Sequence, residues 1–271
     1  MPSNARINPW LRRYHPAPEA PMRLVYFPHA GGAANSSFRL SAALPPVAEV
    51  ISVQYPGRHD RFGEPYADSL AALADEIPQW LDSLADKPMA FFGHSMGSIV
   101  AYEVARRLQA KDAALGAGVS GGVSGEAMSA PTPTPTHLFV SGRRAPTIFR
   151  EERVHLMDDD GFVADLRALQ GTDNSVFDDP EVLRLVLPAV RADYGAIETY
   201  VYEPGPPLTC PVTAVIGDSD PRVNRAEAEA WRGQTTGDFR LEVFPGGHFY
   251  LGEGALGVVD LLRDGLAERV Y

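Results

Sequence analysis

A chain of 271 residues, 45% hydrophobic and 22% charged, is long enough to bury a sizeable α/β core without a disulfide or structural metal. The formal charge of −11 argues against nucleic acid as a partner, because phosphate binding needs a basic footprint. With Cys210 as its only cysteine, no apolar leader and no run of bilayer length, the sequence predicts a cytoplasmic protein with no membrane partner.

Met22 to Phe27 (MRLVYF) is a short apolar run entering a glycine turn, and it predicts a buried strand. Glu49 to Gln54 predicts a second strand, stopped at Pro56-Gly57. From Ser69 to Leu84 the residues Leu70, Leu73, Ile77, Trp80, Leu81 and Leu84 recur at helical spacing despite Pro78. Met89 to Phe92 predicts a strand, and Ser98 to Gln109 a helix. This alternation predicts a mostly parallel sheet covered on both faces.

Residues 111–135 are rich in Gly and Ser and then alternate Thr with Pro, a composition expected to form a flexible loop. His137 to Ser141 resumes the strand pattern, so the expectation is one domain over residues 1–271 with an inserted loop. Two helical segments, Phe162 to Leu169 and Glu181 to Tyr200, fall within 150–205 and read as a lid over a site. Val212 to Ile216 and Leu241 to Phe244 complete the strands, and Val258 to Ala267 predicts the closing helix.

Gly93-His94-Ser95-Met96-Gly97 matches G-x-S-x-G and lies between a strand and a helix. That context is the nucleophile elbow of the α/β-hydrolase fold, where a tight turn exposes a serine hydroxyl at the sheet edge. A serine needs a base, and His248 follows a strand through Pro245-Gly246-Gly247 to the same edge. His94 reads as packing and His29 as a neighbour of the site; His15, His59, His137 and His155 lack such context. The imidazole needs an acid, and Gly217-Asp218-Ser219-Asp220 offers two, either of which could serve; Asp220 is similar in placement to the acid of hydrolases of this fold, which usually follows the strand in a G-x-x-D pattern. Backbone N–H groups of Met96 and of Ala30, in the turn after the first strand, are the expected oxyanion donors. That turn lacks the spacing and the lysine of a phosphate-binding P-loop. Arg58 and Arg61, with Arg143, Arg144, Arg150 and Arg153, are either solvated arginines or a docking surface for an anion.

The residues resemble those of type II thioesterases, the stand-alone editing enzymes of polyketide and nonribosomal peptide assembly lines. The resemblance runs from about Arg23 to the C-terminus through LVYFPHAGG, QYPGRHDRFGEP, FFGHSMGSIVAYEVARRL, HLFVSGRRAP, GDSDP and FPGGHFYL. The segment at 111–135 departs from the family pattern. The resemblance implies hydrolysis of acyl thioesters on the phosphopantetheine arm of an acyl or peptidyl carrier protein, with no cofactor and no metal. In that setting Arg143 and Arg144 become candidate contacts to the carrier or its arm, and Met157, Phe162, Leu169, Phe177, Leu187 and Tyr194 candidate linings of an acyl chamber. An ordinary carboxylesterase or lipase and a chain-releasing thioesterase share the same catalytic residues. A non-catalytic module is disfavoured, because Ser, His and Asp are all retained.

Overall fold

The computed structural model describes residues 8–117, 133–169, 178–250 and 255–267. Seven strands among them form one sheet: β1 (Leu11–Arg12), β2 (Met22–Phe27), β3 (Ala48–Val53), β4 (Met89–His94), β5 (His137–Ser141), β6 (Val212–Gly217) and β7 (Phe239–Phe244). Their order is β1-β3-β2-β4-β5-β6-β7, and only β1 runs antiparallel to its neighbour. The helices are α1 (Phe38–Ala43), α2 (Leu70–Glu76), α3 (Pro78–Leu81), α4 (Met96–Ala117), α5 (Asp159–Ala168), α6 (Pro180–Glu198), α7 (Arg225–Glu229) and α8 (Ala255–Ala267).

Strands β2 to β6 are buried along their whole length, which is why they read as continuous apolar runs. Period two then sorts their side chains onto two faces. Val25, Phe27, Ile51, Val53, Met89 and Phe91 pack in one core with residues of α2 and α4, whereas Leu24, Tyr26, Val50, Ala90 and Phe92 pack in another with Val258 and Leu262 of α8. Edge strand β7 alternates partly buried and exposed residues.

The expected helix over Ser69 to Leu84 is interrupted: α2 ends at Glu76, α3 begins at Pro78, and Asp82–Leu84 is a 3-10 turn. Pro78 has no N–H to continue the ladder, although the apolar face is kept. Helix α4 runs beyond the expected Gln109 to Ala117, so the first part of the expected loop at 111–135 is helical. Its Ala- and Leu-rich extension favours helix, and Lys111 Nζ is held 2.9 Å from the Asp82 carboxylate. Residues 118–132 of that loop lie outside the described residues. Among the described residues no helix is long and apolar enough to cross a membrane.

Because β3 lies on one side of β2 and β4 on the other, the crossover reverses direction between β2 and β4. Open α/β sheets leave a crevice at the carboxyl ends of the strands at such a reversal. The turn after β2 and the turn after β4 both open there.

Candidate active site

Ser95 stands between β4 and α4 with φ of 54°, the left-handed region that L-residues rarely occupy. Its glycine neighbours explain how the turn closes. A Cβ on Gly93 would lie 2.2 Å from the Gly97 carbonyl oxygen, and one on Gly97 would lie 2.1 Å from the carbonyl oxygen of Phe27 on β2. The elbow is thus pressed against the neighbouring strand, and Ser95 N–H donates to the Ser141 carbonyl of β5 at 2.7 Å.

The loops after β6 and β7 bring Asp220 and His248 to the same rim. His248 Nε2 lies 3.0 Å from Ser95 Oγ, and His248 Nδ1 lies 2.9 and 3.0 Å from the two carboxylate oxygens of Asp220. A carboxylate on Nδ1 fixes the proton there, so Nε2 is left to accept from the serine hydroxyl. Asp220 Oδ1 also accepts the N–H of Arg222 at 2.8 Å, which orients the carboxylate.

Asp218, the alternative acid, is exposed and faces another way. Its Oδ1 accepts from Ser219 Oγ at 2.6 Å and from the Gly246 N–H at 3.0 Å. Those hydrogen bonds, Ser219 first, hold its carboxyl below the usual range. Together with Ser219 N–H on the Gly246 carbonyl, they tie the loop carrying Asp220 to the loop carrying His248.

His94 is buried with Nδ1 2.8 Å from Ser141 Oγ, which in turn lies 2.6 Å from the Tyr250 hydroxyl. Burial, reinforced by His248 and then His29, keeps its imidazole well below the ordinary value. His29 packs edge-on against Phe249, and burial, His248 and Arg58 lower it to about 4. Both rings are therefore neutral neighbours of His248.

Ala30 and Met96 line the same cavity as Ser95 and His248. Of the expected chamber linings, Leu169 and Tyr194 also face it. Phe162 and Leu187 instead pack with Val154 and Tyr194 in a separate small core between α5 and α6, and Met157 is exposed. Helical spacing marks which residues are buried but not against what. Phe177 lies outside the described residues.

The arginines differ from a solvated cluster. Arg58 and Arg61 are both 7% exposed; Arg61 binds the Glu64 carboxylate and the Gln54 carbonyl, and Arg58 binds Asp193 of α6. Arg144 is 4% exposed and forks onto Glu152 at 2.7 and 3.2 Å, so its charge is already taken up inside the protein. Arg143 lines the cavity beside Ser95, and its buried Nε has no hydrogen-bond partner among the described residues. Burial, with Arg144 adjacent, lowers its guanidinium to about 9. Arg153 remains exposed beside Glu151, and Arg150 is tied to Glu227. Among the described residues, no group of three or more His, Cys, Asp and Glu is arranged to hold a metal ion.

Comparison with known proteins adds an independent line. The Thioesterase domain family matches residues 22–265. The Probable cadicidin biosynthesis thioesterase of Streptomyces griseus is 49% identical over 242 residues, covering 89% of this chain and 62% of that protein. Thioesterase PikA5 of Streptomyces venezuelae is 45% identical over 257 residues, covering 93% of this chain and 83% of that protein. The structure of the type II thioesterase BorB from the borrelidin biosynthetic cluster superposes with a TM-score of 0.81 at 42% identity, over 95% of this chain and 97% of that one. The chain therefore spans less than two thirds of the first relative and nearly all of BorB.

Proposed function

The chain belongs to the thioesterase family, and we propose that its substrates are acyl thioesters on the phosphopantetheine arms of carrier proteins. In this reading it clears aberrant or stalled acyl units during polyketide or nonribosomal peptide biosynthesis. The settings of its relatives, cadicidin biosynthesis and the borrelidin biosynthetic cluster, support the assignment. A cytoplasmic location belongs to the same reading.

Ser95 is the nucleophile. Its Oγ bonds to the thioester carbonyl carbon as its proton passes to His248 Nε2. The oxyanion accepts the N–H groups of Ala30 and Met96. Asp220, on Nδ1, orients and stabilises the imidazolium. Collapse of the tetrahedral species breaks the C–S bond, and the departing sulfur takes the proton from His248. A water then gives a proton to His248 and attacks the acyl carbon. The second collapse returns that proton to Ser95 Oγ and releases a carboxylic acid. Thiolate leaves readily, so the oxyanion donors and access of water matter more than acid assistance.

Helices α5 and α6 form the lid of this site within residues 150–205. Arg143, rather than the internally paired Arg144, is the basic residue placed to touch substrate, as a donor to an oxygen of the arm or acyl group.

The observation that carries the hydrolytic mechanism is the unbroken contact from Ser95 Oγ through His248 to Asp220, at 3.0 and 2.9 Å, while the thioester substrate rests on membership of the thioesterase family. The test is mass-spectrometric readout of acyl release from a panel of loaded carrier proteins. Release at rates far above those for a simple aryl ester supports it; activity on the ester alone replaces it with a carboxylesterase.

A further inference from the structure

The turn after β2 is enclosed by the segment Gln54-Tyr55-Pro56-Gly57-Arg58, which the hydroxyl–imidazole–carboxylate chemistry does not use. Tyr55 Oη donates to the Pro28 carbonyl at 3.2 Å, and Gln54 Oε1 accepts the Ala34 N–H at 3.0 Å. Gln54 Nε2 in turn donates to the Arg58 carbonyl at 3.2 Å. Arg58 Nη1 donates to the Gly32 carbonyl at 3.1 Å. These contacts fix the two ends of the turn.

Its middle is fixed from above. Asp193, buried on α6, accepts the Gly31 N–H through Oδ2 at 2.7 Å, while Arg58 Nη1 and Nη2 reach its two oxygens at 2.5 and 2.8 Å. Helix α6 also lies directly on Gly31, where a Cβ would meet Val190 Cγ2 at 2.7 Å, and Ala30 packs against the small core of Phe162, Leu187 and Tyr194. With the Gly31 N–H committed to Asp193, it is not available as an oxyanion donor, which leaves the N–H of Ala30, a residue that lines the cavity, for that role.

We infer that Asp193 and Arg58 are positioning residues for the oxyanion turn, and that Ala30 N–H is aimed at the reacting carbonyl only while α6 is seated. The inference rests on the assignment of Ser95 as nucleophile. Its physical content is that lifting α6 removes the acceptor from Gly31 and strands the Arg58 guanidinium, so an open site is also an inactive one. A donor misplaced by a fraction of an ångström loses most of its effect on a developing charge.

An alkyl boronic acid probes this directly, because its adduct with Ser95 Oγ presents a tetrahedral oxygen to the oxyanion donors. Two charge-free double variants isolate the hydrogen bond. Arg58→Met/Asp193→Asn keeps a carbonyl acceptor for Gly31, and Arg58→Met/Asp193→Val removes it. The expected result is boronate affinity about 10–100-fold weaker in the second than in the first, with kcat for a pantetheine thioester falling in parallel and KM within about 3-fold. Melting temperatures of the two should differ by no more than the loss of one neutral hydrogen bond explains, since neither buries an unpaired charge. Asp193→Ala alone leaves Arg58 unpaired and should lose stability as well as kcat. Equal boronate affinity and equal kcat in the two double variants would overturn the inference and leave a structural role only. Failure of the wild-type chain to bind boronate, or of a fluorophosphonate to label Ser95, would instead overturn the nucleophile assignment and this inference with it.

Discussion

At the sheet rim the groups assigned to the chemistry are held mainly by backbone: Ser95 by a left-handed turn pressed onto Phe27, His248 and Asp220 by two loops joined through Ser219 N–H on the Gly246 carbonyl, with the Asp218 carboxylate on the Gly246 N–H as an added side-chain tie. In the helical pair above it a small apolar core of Val154, Phe162, Leu187 and Tyr194 is supplemented by charges and polar side chains. Asp193 binds Arg58 and Gly31, Glu198 accepts the N–H groups of Val154 and His155 at 3.0 Å each, and Arg191 binds Asp159 and the carbonyls of His155 and Met157. Backbone packed at the elbow cannot rotate away from a clash, whereas an exposed ion pair such as Arg191–Asp159 can rearrange at little cost. The rim admits one backbone geometry, and the outer face of the cover rests on solvent-exposed ion pairs of small individual worth.

Substitutions can break that contrast, beginning with the chemistry the rim supports. Ser95→Ala should lower kcat/KM on a loaded carrier by about 10⁶, since members of such a constellation act as a unit. Far-ultraviolet circular dichroism and melting should be unchanged, because alanine fits the same turn. Asp220→Asn should cost about 10⁴ in kcat through the wrong imidazole tautomer. Asp218→Asn should stay within about 10-fold, and comparable losses in the two would show that the acid had been assigned to the wrong carboxylate.

Gly97→Ala tests the packing itself. A methyl 2.1 Å from a core-strand carbonyl cannot be relieved by a rotamer change, so at least about 3 kcal/mol of stability should be lost in urea unfolding. Soluble, fully stable protein would mean the elbow is looser than described.

The buried imidazole beside the rim gives a pH signature. Burial, then His248 and Arg58, push His29 down to about 4 in the folded chain from an ordinary 6.5, so the unfolded state binds more protons between those values. Stability is full above the unfolded value and falls as pH drops through 6.5 toward 4. Urea unfolding at pH 7.5 and 5 should differ by about 2 kcal/mol from this group, a difference that His29→Gln removes.

The smallest effect belongs to the cover. Asp159 is 77% exposed at its side chain, and Asp159→Ala should cost less than about 1 kcal/mol in the same assay. A loss as large as that of Gly97→Ala would erase the distinction between the two regions.

Local chemistry written into contiguous residues determined much of this protein. The apolar runs of β2 to β6, the elbow around Ser95 and the post-strand loops carrying Asp220 and His248 are legible because period, turn glycines and strand ends are short-range properties. Strand β1 is too short, and α1 too weakly patterned, to be read that way. Only the tertiary structure set the Asp220 carboxylate on His248 and turned Asp218 to Ser219 and Gly246, moved Phe162 and Leu187 from the cavity wall into their own core, and set Arg144 against Glu152. It also joined Arg58 to Asp193 across 135 residues of chain. Ion pairs and hydrogen bonds are decided by which distant side chains arrive within about 3 Å, and no periodicity along the chain encodes that meeting.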